Sequence, residues 1–148
     1  MDIKSFFDRL IYITTTLKSE DLHQYFYSIE FTSKDSPSNG LFFLAKSIND
    51  YNNVYHIEVS NDKIQGCYYV TMEVLDLEEL IKYASKECGF SLLTHNNEND
   101  FIALVRGELK CFIHKNVTVN YTSYSIRLFK SVENETESVI SVSLDKPR

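Results

Sequence analysis

Glycine is scarce in this chain, at four among 148 residues, and tryptophan is absent. So little glycine disfavours a fold built from tight two-residue turns, and it leaves no glycine-rich loop to cradle a nucleotide. No Walker loop, dinucleotide fingerprint or G-x-S-x-G elbow occurs. Cysteine is limited to Cys67, Cys88 and Cys111. An odd count without a C-x-x-C pair predicts free thiols in a reducing compartment and no disulfide. Basic residues are outnumbered, 15 against 21 acidic ones, and the net charge of −6 argues against a nucleic-acid surface. No apolar run approaches the length of a membrane span. The opening MDIKSFFDRLIYI lacks a basic region followed by an unbroken apolar stretch, so the expected location is cytoplasmic. Three Asn-x-Thr triplets, at Asn116, Asn120 and Asn134, are then expected to be coincidences of a Thr-rich region.

What is present suits a folded domain. Hydrophobic residues make up 43% and charged ones 24%, with ten Phe and ten Tyr. That is enough to bury a core, and no linker or low-complexity tract divides residues 1–148, which predicts one domain. The local signals agree best from Cys67 to Phe90. Tyr68, Val70, Met72 and Val74 alternate with Cys67, Tyr69, Thr71 and Glu73, the period of a half-buried strand. Asp76 with Glu79 reads as a capping box, and Leu75 with Leu80 as a hydrophobic staple. Leu77, Leu80, Ile81, Ala84 and Cys88 recur at helical spacing, and Gly89 supplies a left-handed stop.

Before this unit, Ile3, Phe6, Phe7, Leu10, Ile13 and Leu17 predict an amphipathic helix over 2–18, with Asp2 near its cap and a soft end at Thr14–Thr16. Tyr25, Tyr27, Ile29 and Phe31 alternate as a strand. KDSPSNG, residues 34–40, reads as a loop, and LFFLAKSI, residues 41–48, as a strand central in the sheet. Residues 50–53 turn the chain, Tyr55, Ile57 and Val59 form the next strand's inward face, and Asn61 to Lys63 is a tight connection. After the unit come a short strand at 90–93, a polar loop at 96–100, and a hairpin of 101–105 with 108–114 across Arg106-Gly107. Val117, Val119 and Tyr121 alternate, as do Tyr124, Ile126 and Leu128. An acidic turn at 133–137 precedes a last strand through Ile140, Val142 and Leu144. The expected fold is α+β: a largely antiparallel, curved sheet of about eight strands, with an N-terminal helix and a mid-chain helix packed on it.

Chemistry is sparse. His23, His56, His95 and His114 include no i, i+4 pair, and no metal site or cofactor is expected. His95 and His114 with Lys115 are the one conceivable acid/base set, as for RNA cleavage or a small-ligand site, beside the plainer reading of turn and strand-edge residues. Cys88, next to Glu87 at a helix C-terminus, reads as structural. No catalytic constellation emerges, and the chain reads as a non-enzyme.

The carboxylates are more suggestive. Glu133, Glu135 and Glu137 alternate across one turn, Glu98 and Asp100 mark another, and Glu20-Asp21 a third. They are either solvated groups or a docking face for a basic protein, where carboxylates steer association. Tyr51, Tyr55, Tyr68, Tyr69, Tyr121 and Tyr124 either cover half-exposed sheet or serve as interface anchors. The expected partner face combines Glu98, Asp100, Glu133, Glu135 and Glu137 with Tyr121 and Tyr124.

In size, acidity and α+β make-up the chain resembles the small acidic immunity proteins of bacterial contact-dependent growth inhibition and related polymorphic toxin systems. That resemblance implies a cytoplasmic, bacterial inhibitor that binds a cognate toxin domain, such as a nuclease, and covers its active site. It carries no motif and therefore no residue. The chain is also similar in size and acidity to the class I secretion chaperones, which implies a homodimer, but those end on a helix where Thr118 to Leu144 reads as strands.

Overall fold

Asp2 starts the first helix by a direct bond. Its carboxylate accepts the Lys4 amide at 3.1 Å and the Ser5 hydroxyl at 2.7 Å, so two exposed donors of the first turn are satisfied. Helix α1 spans Ile3–Thr15 and buries Ile3, Phe6, Phe7, Leu10, Ile13 and Thr14. It stops short of the expected 18. The Thr15 hydroxyl bonds back to the Ile11 carbonyl at 2.7 Å, the competition with the helix ladder that β-branched hydroxyl residues bring. The computed structural model describes residues 2–34, 41–45, 53–96 and 100–131, with 32–34 and 41–45 as backbone alone. The expected loop beyond Lys34, the end of the strand after Ala45, the turn at 50–52, the acidic turn at 133–137 and the strand at 140–144 lie outside these residues.

A short 3-10 turn, Ser19–Asp21, leads into helix α2, Leu22–Ser28. This corrects the strand expected through Tyr25 and Tyr27. The same stretch carries Leu22 and Phe26 at helical spacing, and the helix buries Phe26 completely while leaving Tyr27 at 65% exposure. A strand would have set those two side chains the other way round. The chain turns at Glu30, which has a positive φ of 67°, and becomes extended at Phe31.

Strands follow as β1 (Phe31–Lys34), β2 (Leu41–Ala45), β3 (Val54–Ser60) and β4 (Lys63–Thr71), then helix α3 (Leu77–Lys86). After α3 come β5 (Ser91–Asn96), β6 (Phe101–Arg106), β7 (Leu109–Val117) and β8 (Thr122–Lys130). All pairs are antiparallel, and the order is β1-β2-β3-β4-β8-β7-β6-β5. The fold is thus α+β, with an open antiparallel sheet of six strands from β3 to β5, which β2 and β1 extend at one edge. The two halves are built alike, each a helical segment followed by a four-stranded meander, and the two final strands β4 and β8 join them. β2 lies next to the edge and not centrally, because the second meander adds on beyond β4.

Capping of α3 follows the sequence signals. The Asp76 carboxylate accepts the Glu79 amide at 3.1 Å, Leu75 and Leu80 are buried, and Gly89 takes a φ of 78°. Two-residue turns occur despite the scarcity of glycine. Asn61 and Asp62, with φ of 53° and 60°, join β3 to β4, because short polar side chains tolerate the left-handed region. Gly107, at 57°, serves the β6–β7 hairpin. The strand expected to continue through Tyr121 instead ends at Val117, and Thr118–Tyr121 is a turn.

The helices cover one face. Phe6 of α1 stacks at 5.0 Å on Tyr69 of β4, and Thr14 bonds the Leu128 carbonyl of β8 at 3.4 Å. Tyr55, Ile57, Cys67, Tyr69, Ile102, Leu104, Cys111, Ile113, Ile126 and Leu128 point into this core. Among the described residues no helix is long and apolar enough to cross a membrane.

Cys67 and Cys111 lie in one cross-strand row, each opposite Leu128. Two strand spacings, about 9.5 Å, separate them, beyond the reach of a disulfide. Burial pushes all three thiols up, and at Cys88 the Tyr83 hydroxyl and the Arg106 charge offset it only in part. A neutral thiol reagent at pH 7.5 is expected to modify the native protein at half-buried Cys88 alone, and slowly, with Cys67 and Cys111 labelled only in denaturant. Mass mapping of labelled peptides reads this directly. Native labelling of Cys67 would show that β4 opens.

Candidate functional site

The β7–β8 connection is short, polar in its backbone and apolar at its tip. The Thr118 amide donates to the Tyr121 carbonyl at 2.8 Å, the Thr118 hydroxyl donates to the same carbonyl at 2.9 Å, and the Tyr121 amide returns to that hydroxyl at 3.1 Å. Three bonds across four residues fix the turn before anything binds to it. It presents Val119 fully to solvent, with Val117 64% and Tyr121 49% exposed beside it.

Register brings a second apolar segment to the same end of the sheet. Val117 pairs with Thr122 and Tyr124 pairs with Thr71, so the end of β4 lies alongside the start of β8. Beyond Thr71 the chain leaves the sheet through Met72 and Val74, which are 39% and 84% exposed, before Leu75 dives into the core. The Thr71 hydroxyl accepts the Glu73 amide at 3.0 Å and fixes this exit. Solvent-exposed apolar residues are ordinary singly; five at one end of the sheet make that end the candidate contact surface.

Carboxylates stand around it. Glu73, Asp76, Glu78 and Glu79 are exposed on the β4–α3 connection and the first turn of α3. Asp100, half-buried, lies at the same end, with its carbonyl accepting the Lys115 amide at 3.0 Å. The arrangement is an exposed apolar centre with an acidic rim, which attracts positive charge from a distance and would shed its water only when covered.

Of the expected partner face, Asp100 and Tyr121 lie at this same end of the sheet, on different connections. Tyr124 is not part of it: at 5% exposure it belongs to the core, because β8 turns Tyr124, Ile126 and Leu128 towards the helices. Glu98, Glu133, Glu135 and Glu137 lie outside the described residues, as does Tyr51. Tyr55 and Tyr69 are core residues, and Tyr68 is half-buried on the helix-free face. Sequence reasoning missed Met72, Val74, Val117 and Val119, since each continues a strand alternation; the available signal was the polar interleaving of Asn116, Thr118 and Asn120.

No family model, curated protein or solved structure matches this chain. The surface therefore has to be judged on its own chemistry.

That chemistry does not gather a catalytic set from the expected histidines. His95 shares a cross-strand row with Ile102 and Ile113, whereas His114 pairs with Phe101 in the adjacent row. Adjacent rows point to opposite faces, so the two imidazoles diverge. Among the described residues no cluster of His, Cys, Asp and Glu is arranged to hold a metal ion.

Proposed function

We propose that this chain is an intracellular immunity protein, an antitoxin-like inhibitor that binds a cognate basic toxin domain such as a nuclease and covers its active site. One observation carries the proposal: the apolar end formed by Met72, Val74, Val117, Val119 and Tyr121 inside a rim of carboxylates. A basic partner is drawn by the rim and by the net charge of −6, and its grip comes from burying the apolar tip. A turn already locked by its own hydrogen bonds loses little further entropy on docking.

The test is capture of the partner from source cells by tagged protein, followed by binding of the purified pair. Val119→Ala with Tyr121→Ala is expected to weaken that binding by ~2 kcal/mol, about 30-fold, mostly through faster dissociation, and to leave the melting temperature unchanged. Glu78→Gln with Glu79→Gln is expected to slow association at low salt, with the difference gone near ~0.5 M salt. Inhibition of the captured toxin's activity should follow the first variant. Undiminished binding by both variants would move the interface away from this end.

A second reading, the homodimeric secretion chaperone, is favoured by one feature. Among the described residues β5 ends the sheet, is exposed along its whole length, and carries Leu92 and Leu93 at 45% and 60% exposure. Light scattering separates the two, since a monomer at micromolar concentration removes the chaperone reading.

A further inference from the structure

A cleft of about 800 Å³ opens at the other end of the β4–β8 pair, between the 3-10 turn and the β3–β4 hairpin. Its floor is apolar and comes from three segments: Leu17 after α1, Leu22 at the start of α2, and Val59 and Ile64 across the hairpin. Its rim carries Lys18, Lys63 and Lys130, again from three segments, with Glu20 and Asp62 beside them. The Ser19 hydroxyl donates to the Asp62 carbonyl at 2.5 Å and ties the turn to the hairpin, so the walls are held together. Among the described residues none of these three ammonium groups forms a salt bridge. Three lysines against two carboxylates around an apolar floor leave a local excess of positive charge in a chain of net charge −6.

We propose that this cleft binds a small amphipathic anion, a molecule with an apolar body and a carboxylate or phosphate head. The apolar body lies on Leu22, Val59 and Ile64, and the head is held by Lys63 and Lys130 with Lys18 closing the third side. The volume is within the range of small-ligand sites, and a mixed floor and rim of this kind sets orientation by charge and affinity by area. Lys18, Lys63 and Lys130 repel cationic amphiphiles, which an apolar cleft alone would admit. The site is about 26 Å along β4 from the apolar end proposed to dock a partner, so the two proposals stand or fall separately.

The experiment is an amide-resolved NMR titration of the intact chain with sodium decanoate, decyl phosphate, inorganic phosphate and decyltrimethylammonium, each below its micellar concentration. Saturable shifts confined to residues 17–22, 59–64 and 130 are expected with both decyl anions, and the tighter of the two names the head group. Inorganic phosphate alone should bind at least tenfold more weakly and the cation not at all. Lys63→Glu with Lys130→Glu, folded by its own spectrum, should lose at least tenfold in affinity for both anions. Shifts spread over the whole chain, equal binding of the cation, or unchanged affinity in the Lys variant would each overturn the proposal.

Discussion

Phe26→Ala is expected to lower the free energy of unfolding by about 3–5 kcal/mol, read from urea denaturation followed by circular dichroism. Phe26 has no exposed surface and sits among Tyr25, Phe31 and Tyr55, with ring centroids at 5.4, 6.2 and 5.1 Å. Tyr55 in turn lies 4.4 Å from Tyr69, which meets Phe6 of α1 at 5.0 Å. One chain of rings thus connects α2, β3, β4 and α1. A hole at Phe26 cannot close cheaply, because Tyr55 is held by Arg9 through its hydroxyl and the other rings are fixed by their own packing. Tyr27→Ala, one position along at 65% exposure, should cost less than about 1 kcal/mol. The pair of variants also tests the local structure. In a strand through residues 25–31 with Tyr25, Tyr27 and Ile29 inward, Tyr27 would be the costly position, so a reversed ranking would refute helix α2.

Glu58→Ala is expected to cost about 3 kcal/mol, and the reason begins with a glycine. Glu58 on β3 faces Gly66 on β4, and Gly66 faces Phe129 on β8. With no side chain at 66, the glutamate folds down over β4 and reaches Arg127 on β8, with bonds of 2.7 and 3.1 Å from the guanidinium. The Arg127 side chain is 8% exposed and Glu58 28%, and the guanidinium also lies 4.1 Å from the Phe129 ring. Its remaining nitrogen, Nη1, is buried without a hydrogen-bond partner among the described residues. Removing Glu58 therefore leaves a buried cation with its main acceptor gone. That loss, and not the worth of the ion pair itself, is the expected cost.

Two further variants separate the causes. A Cβ at position 66 would stand 2.6 Å from Glu58 Oε1 and 2.7 Å from Phe129 Cβ, so Gly66→Ala is expected to destabilise by at least ~2 kcal/mol. Glu58→Leu combined with Arg127→Met should return to within about 1 kcal/mol of the parent, since no charge is then left buried. A double variant as unstable as Glu58→Ala would show that the pair contributes more than the avoidance of an orphaned charge. Burial, opposed by Glu58 two positions along β3 and reinforced by Arg127, holds His56 below the ordinary imidazole value.

The limits of local reasoning are visible in particular residues. Asp2, Asp76 and Gly89 were readable because a cap is a contact between residues two or three positions apart, and the chain holds both partners in one short window. The alternation of Cys67, Tyr69 and Thr71 against Tyr68 and Val70 was readable for the same reason. Residues 22–28 were not, because Leu22 and Phe26 fit a helix while Tyr25 and Tyr27 fit a strand, and only the rings of Tyr55 and Phe31 decide which pair is buried. The candidate site was half visible. Asp100 stood out as a loop carboxylate and Tyr121 as a sheet-face tyrosine, whereas Tyr124, three positions on, was claimed by the core.

By itself the sequence determined the α+β class, the caps of α1 and α3, the β6–β7 hairpin and the acidic, cysteine-poor character, all set by short-range geometry and composition. Only the tertiary structure decided that β4 meets β8, since that pairing joins residues far apart in the chain and leaves no periodic trace in either. From that one pairing come the exposed apolar end beside the carboxylates, the lysine-rimmed cleft opposite it, and the reach of Glu58 across Gly66 to Arg127. Each depends on residues that are neighbours in space and strangers in sequence, and no local pattern records such a meeting.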